Sequence, residues 1–253
     1  MSYFRTDSSE PAVVTDSVGP EQVADGVTVD RRSVLWLSAA GVAALLAGRV
    51  PGAQPPLQRG SDFTQFLEEL YPLARRLVDS SGRDEESYLM TVAAAMTRIS
   101  DPKAPLRAAM KAFRSRHQRD GERFPIAAMS MKLEPGKGFS HHDHLDYNGV
   151  IMGVGGEARV RNYDFVGAPP AVDSGETFRL RETRDDLILP GRISTLGRNR
   201  DNVHDLVAGK GGAHVLDVFT FFSKRAGSRS IDVDAKPRDA EARIYDASWR
   251  RRR

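Results

Sequence analysis

Pro135-Gly136-Lys137-Gly138-Phe139-Ser140-His141-His142-Asp143-His144-Leu145-Asp146-Tyr147-Asn148-Gly149 places three of the chain's six histidines within four positions. In a β-strand, residues i and i+2 point to one face. His142 and His144 then share a face and His141 and Asp143 take the other. Two imidazoles on one face can meet one ion, and a third ligand has to come from elsewhere in the chain. His204, in Asp201-Asn202-Val203-His204-Asp205, is the candidate, about 60 residues later. An antiparallel barrel readily closes that distance. An isolated His-x-His is also what an exposed polar strand end looks like, so the surrounding sequence has to decide.

Composition narrows the choice. The 253 residues include no cysteine, which excludes a disulfide scaffold, a thiolate zinc site and a cysteine nucleophile. Any metal must therefore be held by histidine or carboxylate. The 22 glycines and 14 prolines fall largely between short apolar runs after residue 120, the pattern of a turn-rich β fold. Strands are expected over 124–133, 150–154, 158–165, 186–189, 203–207 and 214–222, forming an antiparallel sandwich or barrel. Gly153-Val154-Gly155-Gly156 resembles a phosphate loop only superficially. It opens no helix and is expected to be a hairpin turn between two strands.

Residues 59–120 read as helical. Phe63, Phe66, Leu67, Leu70 and Leu73 form one apolar stripe at three- and four-residue spacing, with Pro72 expected to kink or divide that helix. Two further helices are expected over 85–99 and 104–116, their stripes packing on the barrel. His117 reads as an exposed helix-end residue. Residues 121–225 form the barrel, and 226–253 a C-terminal extension with a basic tail. The formal charge of +3 and the Arg250–Arg253 run lack interleaved aromatics. They read as a solvated tail, so no nucleic-acid partner is expected.

The front of the chain, residues 1–58, reads as a disordered stretch, a signal and a linker. Arg31-Arg32 precede Val34-Leu35 and the short apolar run Ser38–Gly48, which is short for a membrane span of about 20 residues and has the length of a signal h-region. The pattern resembles a twin-arginine export signal, with cleavage near Pro51-Gly52-Ala53. It implies the twin-arginine export machinery as a partner, export to the periplasm or cell envelope, and a cargo folded with its cofactor. An uncleaved membrane anchor is the alternative.

The spacing Gly136, five residues, His142, one, His144, three, Asn148, six, Gly155 resembles the first cupin motif. Asn148 stands where many cupins place a glutamate ligand, which leaves three neutral histidines. The longer resemblance is to the plant cysteine oxidase and cysteamine (2-aminoethanethiol) dioxygenase family, over about residues 123–222. It is carried by His142-Asp143-His144, Val160-Arg161-Asn162-Tyr163-Asp164-Phe165, Asn202-Val203-His204 and Val215-Leu216-Asp217-Val218. The family's Pro-Pro-Tyr after the last of these is replaced by Thr220-Phe221-Phe222-Ser223, so its tyrosine is missing.

The resemblance implies a mainly β cupin (double-stranded β-helix, jelly-roll) barrel after an N-terminal helical segment. It also implies one Fe(2+) ion on His142, His144 and His204, and a small thiol and O2 as substrates of a thiol dioxygenase. Three imidazoles leave a divalent iron its full charge and open positions. A thiol bound there loses its proton and ends as a sulfinate. Asp217 is the expected supporting catalytic group, bonding a ligand or a substrate amine, while Tyr163 and Asp164 are expected to support the barrel. A monomer is expected. The competing readings are a cupin that binds a metal or ligand without turnover, and a cupin oxygenase with a non-thiol substrate.

Overall fold

A computed structural model describes residues 60–119 and 121–250; the export-signal segment, the linker up to residue 59 and Arg251–Arg253 lie outside the described residues. Among the described residues three helices come first: α1 (Phe63–Asp79), α2 (Glu85–Met96) and α3 (Leu106–His117). Asp62 caps α1 by accepting a hydrogen bond from the Gln65 amide at 2.8 Å, satisfying one of the free amides of the first turn. Phe63, Phe66, Leu67, Leu70, Ala74 and Leu77 form its buried stripe, whereas Leu73 is only half-buried. Each large side chain so buried contributes about 1.5–3 kcal/mol. Pro72 lies inside α1 without dividing it. Its ring removes one backbone donor, and the apolar stripe on either side of it outweighs that loss.

Eight strands follow: β1 (Ile126–Leu133), β2 (Gly138–Asp143), β3 (Tyr147–Phe165), β4 (Thr177–Ile188), β5 (Ile193–Leu196), β6 (Val203–Phe221), β7 (Ile231–Val233) and β8 (Ile244–Trp249). They form one antiparallel sheet in the order β1-β6-β3-β4-β8-β7, with β2 added on β6 and β5 on β3. The chain is thus mainly β, a curled antiparallel sheet preceded by helices.

The hairpin expected at Gly153–Gly156 does not exist. Residues 147–165 are one strand, and the pairing of β3 with β6 slips between Gly153 and Gly155 and again between Gly156 and Ala158. The same bends join the two strands expected over 203–207 and 214–222 into the single strand β6. Extra residues inserted into a ladder bend it and increase its twist. Here they fold two long strands over so that each serves both halves of the sheet. The first half of β3 pairs with β5 and the second half of β6; its second half pairs with β4 and the first half of β6.

The two faces of the folded sheet hold separate cores. Val150, Met152, Val154, Leu216 and Val218 pack with the helices on the outside. Ile151, Val160, Leu206 and Ala213 pack together on the inside. A third cluster, Tyr163, Phe178, Leu180, Val203, Ile231, Ala247 and Trp249, joins β7 and β8 to the outer face of the other half. The segment after residue 225 therefore contributes two strands and part of a core.

At the bend, Gly156 has φ +63°, and a Cβ there would lie 2.2 Å from the Gly212 carbonyl oxygen. Gly156→Ala should cost about 2 kcal/mol or more in a denaturant titration, because it adds both left-handed strain and a backbone clash. Gly155→Ala would place its Cβ 3.7 Å from the His214 Cβ, an ordinary contact. It should cost markedly less, and equal losses for the two variants would contradict the bulge.

Candidate metal centre

Antiparallel pairing of β2 with β6 sets His142 directly opposite His204. The register slips between Phe139 and His142. Phe139 pairs with Leu206 and packs in the interior cluster. Strict alternation from Phe139 would turn His141 inward. The bulge turns His142 inward in its place, facing the same side as Phe139. His141 is left on the outer face, where its Nε2 is 3.3 Å from the Tyr163 hydroxyl and 3.7 Å from Asp205. Asp143 also points away from the centre, fully buried and gripped by Arg229 through its backbone amide and guanidinium.

His144 lies just past the end of β2 and is held by the second histidine motif. The Asn202 Oδ1 accepts from the His144 amide at 3.3 Å, and its Nδ2 donates to the His144 carbonyl at 3.0 Å and to the Gly197 and Arg198 carbonyls. One asparagine thus fixes the backbone of the ligand segment while its neighbour two residues on, His204, supplies a ring to the same centre.

The ligand atoms of His142, His144 and His204 lie within 4.8 Å of one another. The Nε2 atoms of His142 and His204 are 3.0 Å apart, close to the spacing of two nitrogens about 2.1 Å from one ion at right angles. The His142 Nδ1–H donates to the Ser140 carbonyl at 2.8 Å, leaving the Nε2 lone pair to face the centre. Both ring nitrogens of His144 are buried without a hydrogen-bond partner, and a bound ion satisfies one of them. Burial lowers the pKa of all three rings, His144 and His204 well below the usual imidazole range. They are neutral donors at neutral pH. The residues therefore fit a divalent metal, and among the described residues no carboxylate belongs to the cluster.

Asn148 is not the position that faces the histidines. It pairs with Thr220 on the helix side of the sheet, and its Nδ2 donates to Glu85 at 2.8 Å. The facing position is Gly149, where a Cβ would lie 3.6 Å from the His144 ring and 3.3 Å from Phe219. The three histidines grouped from the sequence lie together, and a glycine rather than an asparagine faces them.

Tyr147, which the sequence did not single out, stacks on His144 with centroids 4.1 Å apart and planes at 16°. Its position one turn of the chain beyond His144 is the only signal the sequence offers. Asp217 pairs with Ile151, so it looks into the barrel interior, fully buried, with Oδ1 unpartnered. It makes no hydrogen bond to any of the three histidines. Desolvation holds its pKa well above the carboxylate range. Tyr163 is buried in the third cluster, and Asp164 accepts a hydrogen bond from the Asp201 amide at 2.5 Å.

Beside His144 opens a groove of about 500 Å³, lined by Leu145, Asp146, Asp164, Phe165, Arg198, Asn202 and Arg229 among others. Arg229 is paired with Asp143, and Arg198 with Glu85. Asp146 accepts from the Ser223 hydroxyl at 2.7 Å, and neither Asp146 nor Asp164 has an ion-pair partner among the described residues. Asp164 lies within electrostatic reach of Arg200 and Arg181, and burial pushes its carboxyl up, so Asp146 is the acidic group that the groove offers.

No family model matches the chain, and no curated protein matches it. Among solved structures, the coconut allergen cocosin aligns at 20% identity, covering 42% of this chain and 24% of that one with a TM-score of 0.32. Pumpkin seed globulin aligns at 15%, covering 42% and 24%, with a TM-score of 0.31. An oxalate oxidase aligns at 19%, covering 41% and 45%, with a TM-score of 0.30. The aligned part spans about a quarter of the seed-protein chains and under half of the oxidase.

The state of Asp217 has a thermodynamic signature. Its folded pKa is raised, so between about pH 4, where the unfolded carboxyl ionises, and its folded pKa, the native state binds the extra proton. Stability contributed by Asp217 then falls as pH rises across that window. Asp217→Asn should gain stability relative to the natural chain from about pH 4 upward, with the difference shrinking toward pH 3. Chemical denaturation at several pH values reads it, and a pH-independent difference would contradict a protonated Asp217.

Proposed function

We propose that the protein is an iron(II)-dependent thiol dioxygenase acting on a small aminothiol or an N-terminal cysteine. The observation that carries the reading is the convergence of three neutral imidazoles with no carboxylate among them. Such a set leaves a divalent ion its full charge to hold a thiolate. The resemblance of the His142, Asn162, His204 and Asp217 segments to the cysteamine dioxygenase family gives the reaction class. The chain is further proposed to be a monomer, exported by the twin-arginine route with its metal loaded.

When bound at the three histidines, iron(II) supplies the site that activates both thiol and dioxygen. The reaction R–SH + O2 → R–SO2H is balanced without an external reductant: sulfur gives up four electrons, dioxygen takes four, and both oxygens end on sulfur.

The chain's own residues supply the surroundings. Ser140 fixes the tautomer of His142 through its carbonyl. Tyr147, Phe219 and Phe221 form an aromatic wall around His144 that keeps water from the reacting sulfur. Asp217, whose burial favours the neutral acid and whose Oδ1 has no partner, offers a polar group to that space. Asp146 gives the groove mouth a carboxylate that attracts a substrate ammonium.

Oxygen-electrode assays of the iron-loaded protein test this. Cysteamine, or a peptide beginning with cysteine, should consume one O2 per thiol and yield the sulfinate, and 3-mercaptopropionate, which lacks the amine, should react more slowly. Asp146→Asn should raise KM for the amine-bearing thiol several-fold with a smaller effect on kcat. No oxygen uptake with any of these thiols by a protein that retains its iron would overturn the reading in favour of a metal-binding protein without thiol turnover.

A further inference from the structure

The three rings of the centre are oriented by unequal means. His142 has a hydrogen bond from Nδ1 to the Ser140 carbonyl. His204 sits inside β6, with β2 paired on one side and β3 on the other, opposite His142 and Asn162. His144 has neither. Its backbone is pinned by Asn202, but β2 ends at Asp143 and both ring nitrogens lack a protein partner. Nothing polar fixes the rotation of this ring about its Cβ–Cγ bond, where an imidazole has broad, roughly two-fold freedom.

Tyr147 supplies what is missing. Its ring lies nearly parallel to His144 at 4.1 Å, while Phe219 meets the same imidazole edge-on at 6.2 Å. Tyr147 is itself only 6% exposed. Its hydroxyl is hydrogen-bonded to the Ser228 hydroxyl, so its own ring cannot turn freely. Ser228 belongs to a short strap that crosses the ligand segment. Gly227 exchanges backbone bonds with Leu145 at 2.8 and 3.0 Å, and Arg229 grips Asp143. A Cβ at Gly149 would crowd Phe219 at 3.3 Å while meeting His144 at an ordinary 3.6 Å, so the glycine leaves room for the edge contact of Phe219.

We propose that Tyr147 is a positioning residue that sets the plane of the His144 imidazole by stacking, and that Ser228 locks Tyr147 through its hydroxyl. The C-terminal strap thereby becomes part of the metal centre without touching the ion. The inference rests on the three-histidine centre proposed above. It adds a tyrosine to the site from β3, packed against Phe219 and Phe221.

Cobalt(II) is the probe, because its visible absorption reports ligand geometry directly. The full chain, Tyr147→Leu, Tyr147→Phe and Ser228→Ala are titrated with cobalt(II), with far-UV circular dichroism monitoring the fold. Tyr147→Leu should weaken cobalt binding by about 10–100-fold, the usual effect of losing a group that orients a ligand, and should alter the visible spectrum. Tyr147→Phe keeps the stack and should retain the natural spectrum with at most a several-fold loss. Ser228→Ala should match it. The double variant Tyr147→Phe/Ser228→Ala should lose no more than either single one, because both delete the same bond.

Natural affinity and spectrum in Tyr147→Leu would overturn the proposal, as would a Tyr147→Phe variant as damaged as Tyr147→Leu. Should Tyr147→Leu unfold, the non-additivity of the two hydroxyl deletions decides, and additive losses would count against the lock. Failure of the natural chain to bind cobalt would instead refute the metal centre itself.

Discussion

The β2–β6 pairing, with its slip between Phe139 and His142, is the constraint on which the centre depends. Cross-strand neighbours in an antiparallel pair lie about 4.5–5.5 Å apart at Cβ, so two histidines placed opposite each other must bring their rings together. The slip decides which two. It lets Phe139 fill the interior with Leu206 and still turns His142 inward, leaving His141 to Tyr163 and Asp205 on the far face. One residue more or less in that strand would exchange the inner and outer sets. The bends in β3 and β6 act at a larger scale in the same way, since they turn one sheet into the two walls between which the rings meet.

Around this pairing the chain fastens the ligand segment from both sides. Asn202 reaches across from the start of β6 to hold the His144 backbone, and the strap at Gly227–Ser230 holds Asp143 and Leu145. Asp143 is almost wholly buried and carries its compensating charge in Arg229, which in turn lies over Trp249 at 4.3 Å. Removing one partner of such a pair leaves a buried charge alone, which costs about 3–5 kcal/mol. The helices attach on the other wall through apolar packing and through the Tyr88 hydroxyl on Thr220 at 2.5 Å. The interior is thereby left to the histidines, Asp217, the aromatic wall and the apolar cluster of Ile151, Val160, Leu206 and Ala213.

Much of this was legible in the sequence, for identifiable reasons. The apolar stripes of Phe63–Leu77 and Tyr88–Met96 mark helices whatever they pack on. The His142–His144 pair and the later His204 follow from strand alternation and cysteine's absence. The long strands were harder to read, because a run such as Gly153-Val154-Gly155-Gly156 has the backbone freedom that a hairpin and a bulge both need. Strands β5 and β7, of four and three residues, are too short to show a period. The motif spacing put Asn148 at the carboxylate position, but Asp146 adopts φ +56° between β2 and β3, and this turn, which spacing does not show, decides whether residue 148 or 149 faces the histidines. Tyr147 escaped notice because stacking on a histidine is a property of the folded turn and leaves no spacing signature.

The central claim is that His142, His144 and His204 together hold one divalent ion. Metal analysis of the purified chain and its alanine variants, after anaerobic loading with iron(II) and removal of excess, tests it most directly. The natural chain should hold one iron, His142→Ala, His144→Ala and His204→Ala should lose nearly all of it, and His141→Ala should retain it. Loss of iron in His141→Ala with retention in His142→Ala would mean that the strand register is the reverse of the one described. Iron retained in all four would place the ion elsewhere.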